Sequence, residues 1–121
     1  MEWKFIYKFI PVPIFYVESL GQFAGKSNGF FVRIVKKYKE DKGLIEHELN
    51  HCRQFYMTLG LHGILYNVVK PYRYWAELQC YRIQLKFCSN YEKGIKRFAN
   101  FLATRYSLNI DQAKIEEDLR K

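Results

Sequence analysis

The residues best suited to chemistry are in the pentapeptide HELNH at positions 47–51, which places two of the chain's three histidines four residues apart. On a helix, residues four apart lie on one face, so His47 and His51 could direct ring nitrogens at a single metal ion. Glu48 would project beside that metal, where its carboxylate could take a proton from a metal-activated water. The pattern predicts metal-assisted hydrolysis. The alternative is a helix with two partly buried histidines and no metal.

Two histidines alone hold zinc weakly, so this hypothesis needs a third protein ligand. One common solution is a third histidine in the pattern H-E-x-x-H-x-x-G-x-x-H. The corresponding positions here hold Gln54 and Met57, which excludes that pattern.

The other common solution is a glutamate on a following helix, and the chain has one acidic residue between positions 49 and 91, Glu77. Its neighbours are mostly apolar, where an unpaired carboxylate would be costly and a metal ion would neutralise it. His62 and Cys80 are the rival ligands. A histidine in a loop is usually polar surface, and a free cysteine is usually a small core residue, so Glu77 is favoured.

These residues must be positioned by elements that periodicity and turn residues predict. Asp41 offers an N-cap for a helix that should end near Gly60, which places HELNH in mid-helix. Pro71 suits the first turn of a second helix over residues 71–87, which carries Glu77. The other expected elements are an extended segment over 3–17 that Pro-Val-Pro bars from a central position at that point, a loop or short helical turn over 18–28, a strand with a basic outer face over 29–39, apolar residues over 61–70, a helix over 91–106, and a short C-terminal helix opened by a capping box of Asn109 and Gln112.

The composition is that of one globular domain over residues 1–121, with 49% hydrophobic and 26% charged residues. The expected fold class is α+β, with short N-terminal antiparallel strands followed by three to four helices and the two motif helices packed together. The three cysteines are odd in number and contain no C-x-x-C pair, which favours a reducing, cytoplasmic setting. No signal peptide and no membrane span are expected.

At this point the sequence resembles a known family. LIEHELNHCRQF (44–55) followed by YRYWAELQCY (72–81) is similar to the gluzincin core, HExxHxxQ plus a glutamate helix ending in E-x-x-x-Tyr. Small metallopeptidases of tailed bacteriophages and some bacteria share it, and the resemblance covers roughly residues 29–88. It implies a minimal zincin-like domain, one zinc per chain, the host cytoplasm as location if a phage encodes the protein, and the strand before the first helix as a substrate edge. The implied ligands are His47, His51 and Glu77, with Glu48 as general base.

By this resemblance the chain is a zinc-dependent metallopeptidase that hydrolyses peptide bonds, with a neutral donor steadying the oxyanion. Manganese or iron could also occupy a site with two histidines and one glutamate. The donor is open between Tyr81, one turn beyond Glu77, and His62, with Tyr72, Arg73 and Tyr74 also close in sequence.

The formal charge of +8 suggests other partners besides a peptide or protein substrate. The alternative function is a catalytically inactive zincin-fold module that contacts nucleic acid through its basic face. A structural protein without metal is a third alternative, and the oligomeric state is left open. The basic cluster just before the first motif helix consists of Lys36, Lys37, Lys39 and Lys42.

Overall fold

The computed structural model describes residues 1–121 as a four-stranded sheet followed by five helices. The predicted α+β class is confirmed, with five helices in place of three to four. The strands are β1 (Glu2–Ile6), β2 (Ile10–Val17), β3 (Gly25–Ser27) and β4 (Val32–Val35), and the helices are α1 (Lys42–Met57), α2 (His62–Val68), α3 (Lys70–Leu85), α4 (Tyr91–Arg105) and α5 (Gln112–Arg120).

The sheet is mixed, which corrects the expectation of antiparallel strands. Its order is β1-β2-β4-β3, with antiparallel pairs β1–β2 and β3–β4 and a parallel pair β2–β4. The parallel pair arises because the chain leaves β2, runs back through β3 at the edge, and turns again into β4. The strand β4 therefore points in the same direction as β2.

The segment over residues 3–17 forms the hairpin β1–β2, whose turn contains Tyr7 and Lys8 with positive φ angles of 50° and 71°. Pro11 and Pro13 lie in β2 opposite β1, while the pairing of β2 with β4 begins only at Ile14. Proline has no N–H to donate to a second neighbouring strand. At the two prolines β2 therefore pairs with β1 alone. The restriction predicted for Pro-Val-Pro is observed.

Two sequence expectations about the rest of the sheet are corrected. The strand expected over 29–39 is regular only in β4, because a 3₁₀ turn follows at Lys36–Tyr38. The segment 18–28, expected to be a loop or helical turn, contains β3. That strand has three residues and depends on its pairing with β4, so it leaves no periodic pattern of its own.

The strand before the first helix is also not an edge strand. Because β4 pairs with β2 on one side and β3 on the other, its backbone is used on both sides. The open edge next to the helices belongs to β3.

The helix positions largely follow the sequence signals. Asp41 caps α1, with its Oδ1 accepting a hydrogen bond from the Leu44 N–H at 3.0 Å. Pro71 lies in the first turn of α3, and Asn90 caps α4 through the Lys93 N–H at 3.1 Å. These signals place the start of each of the three helices within one residue of its predicted position.

Two helical expectations are corrected. The apolar stretch over 61–70 contains the helix α2, which has no side-chain cap and no buried residue to mark it. The capping box predicted for Asn109 is wrong, because that residue has a φ of 55° and the N-cap of α5 is Asp111. A left-handed Asn109 ends the preceding loop and lies outside the helix.

The interior has two hydrophobic clusters, and α1 and α3 pack together between them. One cluster joins the inner sheet face to α1, and the other joins α3, α4 and α5. Asp118 connects α5 to α3 by accepting a hydrogen bond from the Tyr74 hydroxyl at 2.5 Å and one from Lys114 at 2.9 Å. No helix combines the length and apolar character needed to cross a bilayer.

Candidate metal centre

The helices α1 and α3 bring His47, His51 and Glu77 together in the interior. All three are buried, with exposed fractions of 3%, 8% and 3%. The Nε2 atom of His47 lies 3.2 Å from Glu77 Oε1, and the Nε2 atom of His51 lies 3.3 Å from Glu77 Oε2. The four-residue spacing on α1 therefore does place two imidazoles against one carboxylate.

The other ring nitrogen of each histidine is held by a glutamine. The Nδ1 atom of His47 is 2.9 Å from Gln84 Oε1, and the Nδ1 atom of His51 is 2.9 Å from Gln54 Oε1. Gln54 is itself fixed by donating to the Ala76 carbonyl at 3.0 Å. Because an amide oxygen only accepts, each Nδ1 carries a proton, which leaves each Nε2 directed at Glu77, where a metal ion would take the place of a proton between nitrogen and carboxylate.

A second ligand set shares both histidines. His47, His51 and Cys80 are buried, and one potential ligand atom from each lies within 4.8 Å of the others, so this group could hold a metal ion. The thiol of Cys80 lies 3.5 Å from His51 Nδ1 and accepts a contact from Asn50 Nδ2 at 3.4 Å. The thiol therefore approaches His51 Nδ1, the same ring nitrogen that hydrogen-bonds to Gln54.

Glu48 lies at the wall of an open cleft of about 700 Å³ that leads to the histidines. Its neighbours donate no hydrogen bond to it, and its carboxylate oxygens are not sealed from the cleft. Burial raises the pKa of Glu48 above its usual range, against the opposing influence of His47 and His51. A carboxylate in this position can exchange a proton with a molecule in the cleft.

The approach of β3 to Glu48 requires glycine at position 25. A Cβ atom on Gly25 would lie 2.9 Å from Ile34 Cδ1 and 3.1 Å from Glu48 Cγ. The first contact is closer than Cβ atoms normally make, so the end of the buried Ile34 side chain would have to shift. The glycine that resembled a loop signal in the sequence therefore allows the edge strand to lie directly against the candidate base.

The cleft runs along the open side of β3. The Val35 N–H donates to the Ala24 carbonyl and the Asn28 N–H donates to the Phe31 carbonyl, so the even-numbered residues of this strand face β4. By the alternation of an antiparallel ladder, the backbone groups of Gly25 and Ser27 face away from β4. Two residues of edge strand are thus free to pair with an extended chain in the cleft.

Of the two residues expected to supply an oxyanion donor, Tyr81 is turned away from the cleft. Its ring packs edge-on against His47 with centroids 4.4 Å apart, and its hydroxyl is 2.8 Å from that of Tyr106. His62 does line the cleft, where its Nδ1 is 2.7 Å from the Tyr72 hydroxyl. Burial and the nearby His51 lower the pKa of His62 to about 4.

The sequence reasoning missed Tyr66. This side chain extends from α2 into the cleft, and its hydroxyl donates a hydrogen bond to Glu77 Oε2. Burial and the Glu77 carboxylate raise the pKa of Tyr66 well above its usual range. Of the remaining candidates, Arg73 is used structurally, because its guanidinium binds backbone carbonyls of Tyr66, Asn67 and Tyr106.

The charge of Glu77 is stabilised by its contacts with His47 and His51. Burial by itself would raise the pKa of Glu77, but His51 and His47 more than offset this and hold it well below its usual range. The buried carboxylate is therefore ionised and paired with the histidines, and Cys80 and Glu77 in turn raise the pKa of His51 against the effect of burial.

No protein-family profile, curated protein or solved structure matches this chain. The assignment of the site therefore depends on its own geometry. The structure brings together His47, His51, Glu48 and Glu77 from the sequence prediction, keeps His62 at the cleft, and directs Tyr81 elsewhere.

Proposed function

We propose that the protein is a zinc-dependent metallopeptidase with a minimal zincin-like domain of the gluzincin type. The observation that carries the proposal is the convergence of both Nε2 atoms on the Glu77 carboxylate while both Nδ1 atoms are held by glutamine oxygens. Histidines that bind metals characteristically donate their other ring N–H to a carbonyl or carboxylate.

The separations between the ligand atoms suit a tetrahedral ion. Zinc binds histidine nitrogen at 2.0–2.1 Å and carboxylate oxygen at a similar distance, so neighbouring ligand atoms of a tetrahedron lie about 3.3 Å apart. The two nitrogen-to-oxygen distances at Glu77 are 3.2 Å and 3.3 Å. Both separations are of this size, and each histidine faces a different oxygen of the carboxylate.

Glu77 is preferred to Cys80 as the third ligand for a geometrical reason. A metal bound by Cys80 and His51 Nδ1 would displace the hydrogen bond from Gln54, whereas one bound by Glu77 keeps both glutamine contacts. With two nitrogens and one carboxylate as ligands, zinc is the metal we propose, and manganese or iron are the alternatives that chemical analysis would identify.

The catalytic roles follow from what surrounds the centre. Bound zinc would supply a Lewis acid that polarises the scissile carbonyl and lowers the pKa of a water. Glu48, with its carboxylate in the cleft, would accept a proton from such a water and pass it to the leaving amine. An extended peptide would pair with the free backbone groups of Gly25 and Ser27, which makes β3 the substrate edge.

Tyr66 replaces Tyr81 as the proposed oxyanion donor. Its hydroxyl is already at Glu77, next to the position of the metal, and its high pKa keeps it protonated at neutral pH. His62 is a second neutral group at the same wall of the cleft. Tyr81 instead supports the ring of His47.

The proposed setting is the cytoplasm, that of the host if a phage encodes the chain. All three cysteines are free thiols, and two of them, Cys52 and Cys80, are buried. A reducing compartment keeps such thiols free.

The test is a cleavage assay with a Glu48→Gln variant. The zinc-loaded protein is incubated with a pool of peptides from a digested cell lysate, and new termini are identified by mass spectrometry. We expect cleavage by the wild type and its loss in Glu48→Gln with zinc still bound, because the amide keeps the shape of Glu48 but cannot accept the proton.

The matched control is Glu46→Gln. Glu46 is one residue before His47 on the same helix and contacts Arg53 at 3.6 Å, outside the cleft. This variant should cleave like the wild type. Undiminished cleavage by Glu48→Gln, or no cleavage by the zinc-loaded wild type, would overturn the proposal.

A further inference from the structure

The four strands have a second face, which we call the outer sheet face, on the side opposite α1. The inner residues Val12, Ile14, Val32 and Ile34 are fully buried against α1. Successive side chains of a strand alternate between faces, so the residues between them point outward. The outer sheet face consists of Trp3, Phe5, Pro11, Pro13, Phe15, Lys26, Phe31 and Arg33.

Large aromatic rings lie exposed on this face. Trp3 is 54% exposed, Phe5 is 60% exposed and Phe15 is 39% exposed. Phe15 meets Phe31 edge-on with ring centroids 5.5 Å apart. No helix covers these rings, so they are unexplained by the packing of the domain, and a group of exposed large apolar side chains on one face generally marks a binding surface.

A row of positive charge lies beside the rings. Phe15, Arg33 and Lys26 are direct neighbours across β2, β4 and β3, with about 4.8 Å between adjacent strands. The outer sheet face contains no acidic side chain. Arg33 and Lys26 make no ion pair, and Lys26 contacts the Phe23 ring at 4.9 Å. The charges are available to an anionic partner.

The basic cluster noted in the sequence lies elsewhere. Lys36 pairs with Glu18 at 2.6 Å, while Lys37 and Lys39 lie over the rings of Tyr38 and Tyr16. Those side chains lie outside the outer sheet face. Cations without a carboxylate partner lie beside exposed rings on the outer sheet face.

We propose that the outer sheet face binds single-stranded nucleic acid, with bases stacked on Trp3, Phe5 and Phe15 and phosphates held by Arg33 and Lys26. Every base has a face that can stack on an aromatic ring, and a neighbouring row of cations can follow the backbone. Lys26, at the edge of β3, also borders the cleft, whereas the rings and Arg33 lie across the sheet from the metal centre, so stacking on the rings does not depend on the proposed peptidase function.

Other occupants fit less well. A second copy of the chain would bring two sets of Arg33 and Lys26 together with no carboxylate between them. Insertion into a lipid bilayer would bury the same cations, because they share the face with the rings. A nucleic-acid strand satisfies the rings and the cations together.

The experiment measures binding of a fluorescently labelled oligothymidylate of about 12 nucleotides by anisotropy at about 50 mM and about 200 mM salt. A duplex of the same length is measured in parallel. We expect the single strand to bind more tightly than the duplex, because paired bases cannot stack on the sheet. Both affinities should fall as salt rises.

Two pairs of variants separate stacking from charge. Trp3→Ala should weaken binding about fivefold or more, whereas Phe87→Ala, which removes a 51% exposed ring at the end of α3, should not. Arg33→Gln should reduce the slope of affinity against salt on logarithmic axes by about 0.7. Lys93→Gln, the same change in charge on α4, should leave that slope unchanged.

Three results would overturn the proposal. One is no binding at the lower salt concentration. Another is binding equal for duplex and single strand and unaffected by Trp3→Ala, which would indicate a merely basic protein. The third is binding of a different partner to this face, seen as self-association in sedimentation or as binding to anionic vesicles. In that case Trp3→Ala would abolish the association, and the oligonucleotide would not compete with it. Circular dichroism of each variant confirms that the exposed substitutions leave the fold intact.

Discussion

The glutamine that orients His47 provides a sharp test of the proposed metal centre. In Gln84→Met, a thioether of similar length replaces the amide, so the side chain still fills its buried position but no longer accepts the Nδ1–H. The contact removed is the 2.9 Å hydrogen bond from His47. Loss of such a supporting hydrogen bond typically weakens metal binding 10- to 100-fold, which corresponds to about 1.4–2.7 kcal/mol.

The assay is a competition titration of the metal-free protein and zinc against a chromophoric chelator. The matched control is Gln79→Met, which makes the same chemical change on α3 at a half-buried residue with no side-chain hydrogen bond. We expect a weaker zinc affinity for Gln84→Met and an unchanged affinity for Gln79→Met. Melting curves of the metal-free proteins show whether the variant is folded before zinc is added.

The reasoning would be refuted if folded Gln84→Met bound zinc as tightly as the wild type. That result would mean that the Nδ1 contact of His47 does not support a ligand.

Two predictions concern the fold around the site. Asp118→Asn should lower the free energy of unfolding at pH 7 by about 1–2 kcal/mol, because hydrogen bonds from a tyrosine and a lysine lower the pKa of Asp118 to about 2. The folded carboxyl has a lower pKa than the unfolded one, so the difference in unfolding free energy between wild type and variant should be complete above about pH 4 and disappear as the pH falls through about 2. The control Glu117→Gln should not lower the free energy of unfolding in this way. Gly25→Ala should cost about 1–3 kcal/mol in urea unfolding because its Cβ has no space beside Glu48, while Gly63→Ala, with no atom within 4 Å, should be neutral or stabilising. Equal stability of the two alanine variants would contradict the close packing of β3.

The central residues were predictable because their signals are local or nearly so. The spacing of His47 and His51 is a property of one helix, and Glu77 is the one acidic residue in a long stretch. Gln54 and Gln84 had a usable signal too. Gln54 follows His51 by three residues and Gln84 follows Glu77 by seven, which are positions on the same helical faces.

Other parts of the site depend on tertiary contacts that leave no local pattern. Tyr66 reaches Glu77 from the short helix α2, whose position is set by packing against α3. The strand β3 is defined by its pairing with β4, so the sequence suggested a loop there and assigned the substrate edge to the wrong strand. Tyr81 has the helical spacing expected of an active-site residue, but its hydroxyl turns toward Tyr106.

The measurement that tests the central claim most directly is the metal content of the purified protein by elemental analysis, beside Glu77→Ala and Cys80→Ser. We predict about one zinc per wild-type chain, the same in Cys80→Ser, and little or none in Glu77→Ala, because in the proposed site Glu77 and not Cys80 is the third ligand. A wild-type protein that takes up no metal when zinc is supplied would contradict the account. So would zinc that is retained in Glu77→Ala and lost in Cys80→Ser.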